Sequence, residues 1–188
     1  MPVYIIEHLE PRLWKWCMIE YEHISENVGK DNLWFTNVKK GSKKLEKYGK
    51  VMKESVKAMN LKNACILDPE AQATLTPEES SSFDYFIFGG ILGDSPPRKR
   101  TRERLTQFMK GIEMRNIGKK QFSTDNAVFV TKEIAGGKRL EKMEFQDNLR
   151  IQVNDVESTE LPYCYPIADS KPRISDKLVK FLKRKRGM

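Results

Sequence analysis

Four short apolar runs constrain this chain most: VYII at residues 3–6, NLWFTNV at 32–38, ACIL at 64–67 and FDYFIF at 83–88. Each is too short for a buried helix and ends in charge, Pro or Gly, so each reads as a strand buried on both faces. Between them the apolar residues take helical spacing. Pro11 opens a segment in which Leu13, Cys17, Tyr21, Ile24 and Val28 recur, with Gly29 placed to end it. A second segment sets Leu45, Tyr48, Met52, Val56 and Met59 on one helical face. Further on, ATLTPEESSS predicts a loop with one helical turn, 101–110 a short amphipathic helix ending at Gly111, and IEMRNIG a fifth strand. A helix from Thr124 to Ala135 closes at Gly136-Gly137, and the chain then becomes less regular, with a strand LRIQV, an extended ELPYCYPI and a final basic helix. Strand and helix alternate, which predicts an α/β fold with a parallel sheet flanked by helices.

The 188 residues suit one domain, taken as 1–167, followed by a basic amphipathic tail over 168–188. Charged residues make up 32% of the chain, and no apolar run reaches the roughly 18 to 20 residues of a membrane-spanning helix. MPVYIIEHLE lacks the basic region and cleavage site of a secretory signal and reads as a first strand. Cys17, Cys65 and Cys164 are far apart, form no C-x-x-C pair and suit a reduced, cytoplasmic setting as small buried residues; no metal site is expected. The net charge of +8 is unevenly placed, since Lys171 to Met188 hold eight Lys or Arg against one Asp. With the excess in a terminal segment, a wide phosphate-binding face on the folded domain is not expected.

Gly89, Gly90 and Gly93 follow the fourth strand, where ligands of parallel sheets bind and where a backbone without side chains can approach a flat ligand. The spacing is neither G-x-G-x-x-G nor a P-loop, and the stretch from Phe88 to Ser95 holds one carboxylate and no cation, which points to a nucleoside without phosphates. A tight turn explains the glycines equally well. Two further polar strand ends, Leu67-Asp68-Pro69 and NIGKKQFSTD at 116–125, could converge with the first on one pocket.

YIIEHLE, IEY, ILDP, FDYFIFGGILGD with PPR and RT after it, IG with KQFSTDNAV, and ELP, in that order over about residues 3–165, resemble the SPOUT superfamily of S-adenosylmethionine-dependent methyltransferases. Within it the chain looks like the branch of yeast-type ribosomal-protein arginine methyltransferases and their archaeal relatives. The resemblance implies a deep C-terminal trefoil knot, exceptional among folds, and S-adenosyl-L-methionine as cofactor. It implies cofactor contacts from Leu67, Asp68 and Pro69, from Gly89, Gly90, Ile91, Leu92 and Gly93, and from Ile117, Gly118, Gln121, Phe122 and Thr124. It implies a small-subunit ribosomal protein as substrate and a monomeric enzyme.

An arginine nucleophile calls for carboxylates that grip the guanidinium and take a proton. The candidates are Glu7 at the first strand's end, Asp94 after the glycines and Asp125 at a helix start. Asp125 can instead serve as a first-turn acid, Asp94 can brace its own turn, and Glu7 is the preferred functional residue. Tyr21 reads as core, and His8 and His23 as structural. An RNA methyltransferase is the alternative, kept open by RKRTRER at 98–104. The tail docks on its own domain or touches ribosomal RNA; a non-catalytic RNA-recruiting module is the third reading.

Overall fold

In a β-strand successive side chains point to opposite faces, so a strand that is apolar throughout must be covered on both. The computed structural model, which describes residues 1–93, 98–154 and 156–185, shows how this chain does so. β1 (Val3–His8), β2 (Leu33–Thr36), β3 (Lys50–Val51), β4 (Ala64–Leu67), β5 (Tyr85–Gly90) and β6 (Glu113–Arg115) form a parallel sheet in the order β3-β2-β1-β5-β4-β6. Tyr4, Ile6, Phe86, Phe88, Cys65 and Leu67 face one core, while Ile5, Ile87 and Ile66, the alternate residues, face a second.

The first core is covered by α1 (Lys15–Val28), through Cys17, Tyr21 and Ile24, and by α4 (Thr124–Ala135), through Val128, Val130 and Ile134. The short helices between them are α2 (Pro77–Ser80), whose Thr76 and Glu79 form a reciprocal cap, and α3 (Arg100–Arg104). Leu105 and Met109, just after α3, cover the second core together with Val56. An antiparallel sheet follows, made of β7 (Phe145–Gln152), β8 (Ser158–Ala168) and β9 (Lys171–Pro172), and then α5 (Asp176–Lys185). Leu178 and Leu182 of α5 pack with Ile19 of α1 and with Leu161 and Tyr165 of β8, and Lys177 bridges Glu22 and Glu26 at 3.0 Å. The tail is thus docked on α1.

One expected element is absent. Instead of a helix carrying Leu45 to Met59, the segment makes two isolated 3-10 turns, Ser42–Lys44 and Val56–Ala58, on either side of β3. Leu45 enters the first core and Val56 the second, a division that one face of one helix could not achieve. Gly49 lets this crossing pass against the sheet: a Cβ there would lie 2.4 Å from the Leu33 carbonyl oxygen. The antiparallel hairpin was expected only as a strand and an extended segment. The three cysteines are buried and free, and burial pushes each thiol up to about 12, so they behave as apolar filling.

Gly49→Ala is expected to lower stability by roughly 1–3 kcal/mol through overpacking against backbone that cannot yield. A urea midpoint unchanged from wild type would contradict that close approach.

Candidate active site

The turns after β4, β5 and β6 meet at the carboxyl end of the sheet, beside the point between β1 and β5 where the strand order changes direction. Asn116 ties two of them together. Its side chain is 1% exposed and fully bonded: Nδ2 donates to the carbonyls of Ala71 at 2.9 Å and Ala73 at 3.0 Å, while Oδ1 accepts from Thr74 Oγ1 and the Gly118 amide, both at 3.0 Å. From the other side the Cys164 amide donates to the Gln121 carbonyl at 2.8 Å, so β8 closes over the loop that follows β6.

These loops enclose a cleft of about 760 Å³. Leu67, Asp68 and Pro69 line it after β4, Gly89, Ile91 and Gly93 after β5, and Ile117, Gly118, Gln121, Phe122 and Thr124 after β6. A Cβ on Gly93 would stand 2.4 Å from Tyr163 Cε1 and 2.8 Å from Gln121 Nε2, so only glycine lets those side chains come this near. Asp68 supplies the cleft's clearest chemical demand. It is 1% exposed, its Oδ1 accepts from the Glu70 amide at 2.9 Å, and its covered Oδ2 has no partner among the described residues. Leaving such an acceptor unmet costs about 1–3 kcal/mol, a cost that a ligand or water donating a hydrogen bond there would offset.

Gly90 and Leu92, expected at the cofactor, are not among the lining residues. A Cβ on Gly90 would come within 2.5 Å of Tyr21 Oη and 2.9 Å of Ile6 Cγ2, so its missing side chain serves the packing of α1 on β1. Leu92 joins the first core; its amide donates to Glu10 Oε1 at 3.0 Å and its carbonyl accepts from the Arg100 guanidinium. Arg98, Arg100 and Lys120 also line the cleft and were not singled out as site residues, although RKRTRER is visible directly after the glycines. Lys120 is paired with Asp147 at 2.6 Å and Arg100 lies 3.7 Å from Glu10.

The acids are placed differently from expectation. Glu7 does not end the first strand: β1 runs on to His8, and Glu7 pairs with Thr36 and Gly89 on its two sides. The alternation therefore turns its side chain to the face of Ile5, away from the cleft. There its fully buried carboxylate accepts from Thr36 Oγ1 and Ser55 Oγ, both at 2.5 Å, and from the Val56 amide at 2.9 Å. Asp94 lies outside the described residues. Asp125 is buried next to Thr124 and bonded to His23 Nδ1 and Ser123 Oγ, both at 2.6 Å, with Arg173 at 3.9 Å. Burial raises its pKa, but His23, Ser123 and Arg173 outweigh burial and hold the carboxyl below its usual range.

Glu20 belongs to the IEY match but was given no role in the site. Burial, then the charge of Asp125, drives its carboxyl well above the ordinary range against hydrogen bonds from Trp16 and Thr124. Tyr21 is core, as expected, and its hydroxyl meets His8 Nδ1 at 2.9 Å. Burial lowers the pKa of His8, opposed by the charges of Glu10 and Glu7.

The α/β fold, a parallel sheet flanked by helices, has SPOUT-like neighbours among solved structures. Trm10 from Thermococcus kodakaraensis superposes with a TM-score of 0.57 at 17% identity over 76% of this chain and 96% of that one, a likeness of fold alone. A narrower match covers nearly the whole sequence. Residues 3–188 match the SFM1-like protein arginine N-methyltransferase model, and the chain belongs to that family. It is 34% identical to the protein arginine N-methyltransferase SFM1 of Saccharomyces cerevisiae over 96% of this chain and 94% of that one. The yeast SFM1 structures complexed with SAM and with SAH superpose with TM-scores of 0.90 and 0.88, at 32% and 33% identity; they cover 100% and 96% of this chain, and 92% and 94% of their own.

The two buried acids should titrate in opposite senses. Glu20, raised in the folded state, lowers stability as pH climbs above its unfolded value near 4.5, so Glu20→Gln is expected to gain stability relative to wild type between pH 4 and pH 8. Asp125, held down, adds stability above its unfolded value near 3.8 that is lost as pH falls through the folded one. Asp125→Asn is therefore expected to be destabilised at pH 7, by about 1–3 kcal/mol for its charged hydrogen bonds, and to converge on wild type in strong acid. Thermal melts across pH that show parallel curves for both variants would contradict these assignments.

Proposed function

We propose that this protein transfers a methyl group from S-adenosyl-L-methionine to a guanidinium nitrogen of an arginine, in a small-subunit ribosomal protein. The observation that carries the reading is Asp68 Oδ2, without a partner among the described residues, inside a cleft walled by glycine backbone, in a chain whose yeast relative is named an arginine methyltransferase and has been solved with SAM. The lining fits an adenosine: Leu67, Ile91, Ile117 and Phe122 supply apolar surface, Asp68 accepts a hydrogen bond, and Arg98 offers a cation to a carboxylate. When bound, the cofactor supplies an electrophilic methyl group on a sulfonium.

The chain's own task is to make a guanidinium nucleophilic. With a pKa near 13.8, full deprotonation at pH 7 would cost about 9 kcal/mol, so a carboxylate must hold the group and receive its proton. Glu10, beside the cleft at Leu92, is in our reading that carboxylate: it already accepts the Leu92 amide and faces the Arg100 guanidinium. Asp94, one residue after Gly93, is the second proposed acid. Asp125 and Glu20 stand behind Thr124, and we assign them to shaping the wall. An RNA substrate would want free cations at the cleft, whereas Arg100 and Lys120 already face Glu10 and Asp147.

The same reading gives the chain the deep trefoil knot of the SPOUT enzymes. It also makes the protein a monomer of one domain, 1–167, with a tail over 168–188 that is free to touch ribosomal RNA through its exposed cations. The buried, reduced cysteines suit the cytoplasm.

The test is transfer of labelled methyl groups into ribosomal subunits, followed by separation of protein from RNA. Label is expected in one small-subunit protein and to appear as methylarginine; label in the RNA would overturn the reading. Asp68→Asn is expected to weaken cofactor binding by about tenfold or more. Glu10→Gln is expected to leave binding nearly intact while turnover falls by roughly a hundredfold.

A further inference from the structure

The near-neutral charge of residues 1–170 hides a strong division. Between residues 39 and 62 there are nine lysines against Glu46 and Glu54, a net of +7 that equals the tail's; residues 1–170 total +1, so the remainder of that span carries −6. All nine lysines are exposed, and none is ion-paired with a described residue, so along this segment no described carboxylate offsets the charge within ion-pair distance. Such a crowd of like charges repels itself and destabilises the fold unless something anionic offsets it.

We propose that this lysine-rich segment, wrapped around the β3 edge of the sheet, is a docking surface for single-stranded RNA. The rings beside the lysines distinguish this from a merely solvated face. Lys50 Nζ lies 4.3 Å from the Trp34 ring centre, and Lys47 and Lys57 lie 4.5 Å from those of Tyr48 and Phe108, the last 56% exposed. Cations next to partly open aromatic faces are what a flexible strand needs, the cations meeting phosphates and the rings stacking bases. An acidic protein would use the lysines and leave the rings without a role.

Trp34 and Val56, beside Lys50 and Lys57, pack on the second-core side of the sheet, while on the first-core side, where Lys47 lies over Tyr48, the segment borders a hollow of about 840 Å³ with Leu13, Met18 and Tyr48 in its lining and Lys15, Lys44 and Lys47 around it. Its one acid, Glu22, is engaged by Lys177 at 3.0 Å. It shares no residue with the cleft at β5, and the sheet order separates β3 from β5 by three strand spacings, about 15 Å. Lysines on an edge strand also discourage strand pairing between copies. That role suits Lys50, but Lys43, Lys44, Lys47 and Lys57 stand in turns that present no strand edge. The choice of RNA over DNA rests on the ribosomal substrate proposed above; the docking surface does not.

The test is fluorescence anisotropy with the full-length chain and a labelled single-stranded RNA of about 12 nucleotides, with single-stranded DNA and polyglutamate as competitors. If four lysines meet phosphates, affinity should fall roughly fifty-fold between 50 and 200 mM salt. Combined Lys43→Ala, Lys44→Ala, Lys47→Ala and Lys50→Ala should weaken binding by about tenfold or more and flatten most of the salt dependence. An equal-charge control, Lys110→Ala, Lys138→Ala, Lys142→Ala and Arg150→Ala, should bind as wild type does, and thermal melts of both variants should match wild type. No RNA binding, binding lost only when Lys183 and Arg184 of the tail are neutralised, or displacement by polyglutamate as effective as by RNA would each overturn the proposal. Displacement by DNA as effective as by RNA would count against RNA as the occupant while leaving the methyl-transfer reading untouched, since no step of the assay uses the cofactor.

Discussion

Asn116 is the side chain on which the cleft depends. The loops after β4 and β6 are each too polar to pack by apolar contact alone, and a loop buried at a sheet end must place every backbone group. By donating twice into one loop and accepting once from each, Asn116 fixes the distance between the two walls. The β8 strand then holds the second wall from outside through the Gln121 carbonyl. With both walls set, the glycine backbone after β5 forms the third side. The Asp68 oxygen is left as an acceptor that no described residue fills.

Much of this was legible in the sequence, for physical reasons that differ from element to element. The central strands announced themselves because apolar residues on both faces leave a continuous run. The bounds of α4 came out at Thr124 and Ala135 because a polar start and a glycine pair mark its ends. The three loops of the cleft were readable as polar or glycine-bearing strand ends, and eleven of the thirteen residues expected at the cofactor do line it.

What failed depended on contacts distant in sequence. Helical spacing from Leu45 to Met59 was real, yet Leu45 and Val56 are drawn to opposite sides of the sheet, and long-range packing overrode a local pattern. Glu7 looked like a strand end because charge rarely lies inside a buried strand. Donors from Thr36, Ser55 and Val56, residues far along the chain, make that burial tolerable. Glu20 was visible only within the IEY match, since the rise of its carboxyl comes from burial and from the charge of Asp125, distant in sequence. The lysine segment was visible residue by residue, but summing over residues 1–170 cancelled it against acids elsewhere.

The central claim is that the loops joined by Asn116 hold an adenosine against glycine backbone, with Asp68 receiving one of its hydrogen bonds. A crystal structure of the protein with S-adenosyl-L-methionine tests it directly. The account predicts the nucleoside between the 67–69, 89–93 and 117–122 segments, with a donor atom within about 3 Å of Asp68 Oδ2. A nucleoside bound elsewhere, or one that leaves that oxygen without a partner, would contradict it.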